Sequence, residues 1–200
     1  QPKSKLRDDY DPAVGYDCMD GFSLFEGMLG GWAPGATPIE FAPDHGFLVT
    51  PDDNLIIQLH YYNAGPQDES IADQSGYEFR TVDSVGTPLT LLPLGGYDFT
   101  IPAGDPAYTA SYRQRIPESY TFDGIEIPIP GITLHGVFPH MHILGTGYEM
   151  WVERQDGTEE CAVSGDTYDF YNQLTYLFKE PLDVNPGDKV HWSCTWDNSE

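Results

Sequence analysis

Gly136-Val137-Phe138-Pro139-His140-Met141-His142-Ile143-Leu144-Gly145 is the stretch on which the reading of this chain turns. It is rich in β-formers and shows no helical period, which predicts a strand over 133–143 in an all-β protein. Side chains alternate along a strand. His140 and His142 then share one face, close enough to grip one metal ion, and Met141 points to the other. Copper and zinc are the metals best served by paired imidazoles. The pair also reads as one packed and one surface histidine, and the spacing alone leaves both readings open.

Short runs of strand formers separated by Gly/Pro turns extend to either side. They predict strands over 77–82, 87–92, 97–101, 108–115, 148–154, 172–178 and 189–196. Asp156-Gly157 signals a hairpin, and Asn185-Pro186-Gly187-Asp188 a turn before the strand over 189–196. Upstream, Asn54-Leu55-Ile56-Ile57-Gln58-Leu59-His60-Tyr61-Tyr62-Asn63 is nearly continuously apolar, as in a strand buried on both faces. His60 sits at its end, where a histidine serves as a hydrogen-bonded core residue or as a ligand. Residues 64–74 are polar and read as a connector between two β units. The turn-rich 30–35 segment places Trp32 beneath it as packing. With no long helical stretch, the spacing argues for an antiparallel sandwich of jelly-roll type.

Composition narrows the function. The 200 residues fit one large β domain or two smaller ones. Acidic residues number 32 against 9 basic ones, a formal net charge of −23, which repels nucleic acid and anionic membranes. No apolar run is long enough for a transmembrane helix. The start at Gln1 has no apolar leader, the mark of a processed chain or of one that begins mid-protein. Cys18, Cys161 and Cys194 form no CxxC, and an odd count in an exported protein leaves at least one thiol in need of another partner.

Other chemistries find little support. There is no Gly-X-Ser-X-Gly elbow and no Gly-rich phosphate loop. Carboxylates are abundant, but nothing singles out a glycosidase pair from solvated loop acids. Tyr168, Phe170, Tyr171 and Tyr176 read as strand core before they read as a carbohydrate platform. His45 in a turn, His135, and His191 on the strand over 189–196 read as structural.

Taken together, the segments resemble the copper type II, ascorbate-dependent monooxygenases, the family of dopamine β-hydroxylase and the peptidylglycine α-hydroxylating monooxygenase. The matching pieces are Gly31-Trp32-Ala33-Pro34-Gly35, Leu59-His60-Tyr61-Tyr62-Asn63, Ser75-Gly76, His140-Met141-His142-Ile143-Leu144-Gly145, Asn185-Pro186-Gly187-Asp188 and Ser193-Cys194-Thr195-Trp196-Asp197-Asn198. Each is weak alone; their order is specific.

The resemblance implies tandem antiparallel jelly-roll β-sandwich domains, the first incomplete: 1–74 as the C-terminal part of one and 75–200 as most of the next. Each would carry one copper. His60 matches a ligand of the electron-transfer copper, and His140 with His142 match ligands of the oxygen-activating copper. Implied with them are C–H hydroxylation of a small-molecule substrate, ascorbate or a similar reductant, and a secreted, extracellular or periplasmic setting. The family's His-His pair and its methionine ligand are not matched here, since Met28, Met141 and Met150 lie in other contexts. Both are expected outside residues 1–200, as are disulfide partners for Cys18 and Cys194. Phe138 stands where the peptide enzyme has a carboxylate-binding arginine, which disfavours a peptide substrate. The competing reading is a non-catalytic jelly-roll module of a larger extracellular assembly.

Overall fold

A computed structural model describes residues 9–10, 28–61, 66, 72, 74–96, 98–122 and 125–200. The chain is nearly all-β; among the described residues only Asp9 and Tyr10 are helical. It divides into two compact units, one of residues 1–30 with 41–93, the other of 31–40 with 94–200.

In the first unit, β1 (His45–Phe47) pairs in parallel with β2 (Thr87–Leu89). Asp44 sets this contact from a left-handed φ of 67°. Its carbonyl accepts the Gly86 and Thr87 N–H groups at 3.0 and 2.9 Å, and its carboxylate accepts Gly86 N–H at 2.8 Å. His45, expected in a turn, opens β1 instead. The apolar run over 54–61 departs from expectation. It has no regular secondary structure, and Leu55, Ile56, Ile57 and Leu59 are each about half exposed. Apolar content sets a preference for extended backbone, but a strand exists only where neighbours complete its ladder and cover its faces. The strand predicted over 77–82 is likewise absent.

The second unit holds the core. β3 (Asp105–Arg115), β7 (Gly145–Glu153), β8 (Glu159–Gly165) and β10 (Lys189–Asn198) form an antiparallel sheet in the order β3-β10-β7-β8. β6 (Ile132–Val137) pairs with β9 (Tyr176–Val184), and β4 (Ser119–Phe122) with β5 (Ile125–Pro128). Register explains which face is buried. Val190, Trp192, Cys194 and Trp196 of β10 lie opposite Val152, Met150 and Tyr148 of β7, and opposite Tyr112, Ala110 and Tyr108 of β3. This inner face meets β6 and β9 in a two-layer sandwich, where Ile116, Met150, Val152, Leu182, Val184 and Val190 form one cluster. Val152 and Val184 are wholly inside, and each such burial is worth about 2 kcal/mol. A second cluster of Ala110, Met141 and Trp196, flanked by Phe99, Tyr108 and Tyr168, fills the neighbouring part of the same face.

The outer face carries the polar partners that the pleat dictates. Lys189 faces Glu153 and donates to it at 2.5 Å, His191 bonds the same carboxylate at 2.8 Å and stacks on Trp151, and Thr109 bonds Thr195. His191 is thus structural, as expected. The hydrogen bonds from Lys189 and then His191 hold the Glu153 carboxyl below its ordinary range.

Both sequence-predicted turns form. Gly157 and Gly187 take φ of 85° and 93°, the left-handed conformation that favours glycine at these corners. Trp32 is 66 % exposed rather than packed, its indole N–H donating to the Ala36 carbonyl at 3.1 Å.

Candidate metal centre

β6 ends at Val137, so His140 and His142 lie on the loop between β6 and β7, not on the strand predicted over 133–143. Pro139 cannot donate to a ladder, which is one reason the strand stops before the pair. The loop keeps the expected alternation. Met141 is only 4 % exposed and packs with Ala110 and Trp196, while both histidines face solvent. Met141 is the plug that turns its neighbours outward.

The imidazoles stand 5.5 Å apart between ring centroids, at an interplanar angle of 76°. Phe138 stacks on His140 at 6.2 Å and Phe170 tilts toward His142 at 6.1 Å, so the pair sits in an aromatic frame. His140 Nδ1 lies 2.8 Å from the Gln173 amide oxygen.

Tyr168 clamps the loop backbone from below. Its hydroxyl donates to the Met141 carbonyl at 2.6 Å and accepts the Met141 N–H at 2.9 Å. Burial pushes its phenol up from the ordinary value, so it stays protonated as the donor role requires. Behind it, Tyr148 and Tyr176 share a 2.6 Å hydroxyl contact. Burial, then that hydrogen bond, pushes Tyr148 up to about 12. The turn into β7 closes with Gly145 N–H donating to the His142 carbonyl at 2.9 Å. Gly145 is required there, because a Cβ would stand 2.7 Å from that of Met141.

Tyr168→Phe removes both contacts to the Met141 peptide. The expected result is a loss of about 1–3 kcal/mol of stability, with faster amide hydrogen exchange at Met141 than at β10 positions. Unchanged exchange would mean that Met141 packing alone holds the loop.

Two imidazoles on a solvent-facing loop fit a metal that takes nitrogen donors and completes its shell with further ligands. Among the described residues no group of three or more His, Cys, Asp or Glu side chains gathers into a fuller site. Met141 and Met150 are both buried in core clusters. His60, in the first unit, is exposed on the irregular 54–61 segment. Cys161 and Cys194 are free thiols, Cys161 exposed and Cys194 raised by burial; Cys18 lies outside the described residues. Of the aromatic quartet, Tyr168 packs into the core and Tyr176 lies on β9, whereas Tyr171 is exposed on a loop. Gln173 and the clamping role of Tyr168 have no local sequence signal; they act across 33 and 27 residues.

An all-β sandwich presenting a His-Met-His loop, with the methionine inward and the imidazoles outward, is the class that fold and site define. Residues 113–200 match the family model described as copper type II ascorbate-dependent monooxygenase, C-terminal domain. Two relatives are each 27 % identical. "Putative DBH-like monooxygenase protein 2" of Homo sapiens aligns over 186 residues, covering 90 % of this chain and 36 % of the relative. "DBH-like monooxygenase protein 2" of Mus musculus aligns over 184 residues, covering 90 % and 30 %. The chain therefore spans about a third of the length of these relatives. No helix among the described residues is long and apolar enough to cross a membrane.

Proposed function

We propose that this chain is part of a copper-dependent monooxygenase that hydroxylates a C–H bond of a small-molecule substrate. The supporting observation is the outward pair His140 and His142, fixed by the buried Met141 between them, within the segment that matches the family. In this reading His140 and His142 bind the oxygen-activating copper and His60 the electron-transfer copper. Each belongs to one of two jelly-roll domains in tandem, and further donors come from the full-length protein.

Copper bound there supplies one-electron and dioxygen chemistry that side chains cannot. One oxygen atom enters the substrate and the other leaves as water, with ascorbate or a similar donor providing the electrons. The chain's own contribution is positional. Met141 and Tyr168 hold the loop, and Phe138 and Phe170 flank the imidazoles with apolar surface. Phe138 offers no charge to a substrate carboxylate, which favours a substrate other than a peptide C-terminus. The net charge of −23 supports a setting away from nucleic acid, and the family resemblance supports export.

The test is copper loading of the full-length protein, then desalting, metal analysis and an assay for ascorbate-driven oxygen uptake. About two coppers per chain and substrate-dependent uptake are expected. No retained copper would overturn the reading and leave a binding module of an extracellular assembly.

A further inference from the structure

Gln173 is 3 % exposed, and its amide is committed at both ends. Nε2 donates to the Phe170 carbonyl at 2.9 Å, and because a carbonyl can only accept, the amino end must face Phe170. The oxygen end therefore faces His140 Nδ1, 2.8 Å away. An amide oxygen can only accept as well, so Nδ1 carries the proton. The lone pair of neutral His140 is then confined to Nε2, on the far side of the ring.

The main chain of Gln173 is held too. Its N–H donates to the Pro34 carbonyl at 3.0 Å, inside a turn closed by Ala36 N–H on the Ala33 carbonyl at 3.0 Å. Gly35 occupies that turn at φ +84°, and a Cβ there would lie 2.3 Å from Asn172 Oδ1 and 2.6 Å from Asn172 Cα. Only glycine fits both the conformation and the space. The Gly31-Trp32-Ala33-Pro34-Gly35 stretch thus backs the residue that touches His140.

We infer that the Ala33–Ala36 turn and Gln173 form a positioning relay that fixes His140 as the Nδ1–H tautomer and so makes Nε2 its metal-binding nitrogen. The inference rests on the reading of His140 as a copper ligand. Without Gln173, His140 samples both tautomers and must reorganise before it binds. Loss of such an outer partner typically costs about 10–100-fold in metal affinity.

The experiment uses the full chain labelled with ¹⁵N-histidine. Two-bond ¹H–¹⁵N spectra of the metal-free protein read the tautomer, and Cu(I) affinity is measured by competition with a chromophoric chelator. Wild type is expected to show the Nδ1–H tautomer at His140. Gln173→Leu, similar in size but without an acceptor, is expected to give a tautomer mixture and about 10–100-fold weaker Cu(I) binding. Gln173→Glu keeps an acceptor and is expected to retain the Nδ1–H tautomer, which separates loss of the hydrogen bond from loss of packing. An Nε2–H tautomer in wild type, or a Gln173→Leu variant with unchanged tautomer and affinity, would overturn the relay with the copper site intact. A wild type with the expected tautomer that binds no Cu(I) would instead overturn the copper reading, and the relay's role with it.

Discussion

His140→Ala and His142→Ala are each expected to remove about one copper per chain from the full-length protein and to abolish turnover. The His142 ring is exposed, so His142→Ala should leave the folded state within about 0.5 kcal/mol. His140→Ala also strips the buried Gln173 amide oxygen of its partner and should cost about 1–3 kcal/mol. His142→Ala is therefore the decisive variant: metal analysis after desalting should change while the unfolding midpoint does not. His60→Ala should behave differently, slowing reduction while the copper of His140 and His142 stays bound. Equal copper loss from both sites on any of the three changes would contradict one copper per domain. Should His142→Ala keep its full copper, the loop is ornamental and the metal reading fails.

The second large effect lies far from the histidines, at the corner before β10. Asp188 is 3 % exposed, accepts from Arg154 Nη1 at 2.8 Å and from the Asn185 N–H at 3.0 Å, and its own carbonyl accepts the Ile116 N–H at 2.9 Å. Arg154 is also tied to Glu160 and to the Asp183 carbonyl. Asp188→Ala leaves the Asn185 N–H without its acceptor and the guanidinium short of one partner. The expected cost is about 3 kcal/mol, at the low end for a broken buried pair because Glu160 remains.

Acid should have a related effect. Burial pushes the Asp188 carboxyl up, but the Arg154 hydrogen bond and the Asn185 N–H outweigh it, so the group is held below its ordinary range. A depressed carboxyl stabilises the fold fully above the unfolded value, about 3.9, and loses that contribution as pH falls through the folded value. Asp188→Asn should therefore flatten the stability profile in that acid window, read as urea midpoints against pH. Parallel profiles for the variant and wild type would show that other carboxylates carry the acid sensitivity.

How much of the fold is legible depends on whether the deciding partner is near in sequence. β10 can be read because Val190, Trp192, Cys194 and Trp196 alternate cleanly with polar residues, and β3 and β7 follow the same rule. β8 escapes because its opening Glu159-Glu160 looks like loop, although backbone pairing to β7 makes it strand. β9 lies later than the strand expected over 172–178. Its run over 176–184 contains Pro181, which argues against strand in a sequence but is tolerated where only β6 lies alongside. The 54–61 run misleads in the opposite sense, apolar enough for a buried strand yet irregular and half exposed. At the site, the spacing of His140 and His142 carries their neighbourhood, and the inward turn of Met141 holds even though strand becomes loop. Gln173 is invisible because an amide acting across 33 residues leaves no local pattern.

The sheet order also sets the tempo of maturation. Thr109 meets Thr195 across 86 residues, and Trp196 from the same far strand closes the cluster in which Met141 is seated. Chain entropy must be spent on that distant pairing before the cluster rewards it, which puts such topologies in roughly the millisecond-to-second regime. The loop bearing His140 and His142 gains its seat only once β10 has docked between β3 and β7. On the copper reading proposed above, metal would load a finished scaffold rather than serve as a nucleus around which it forms.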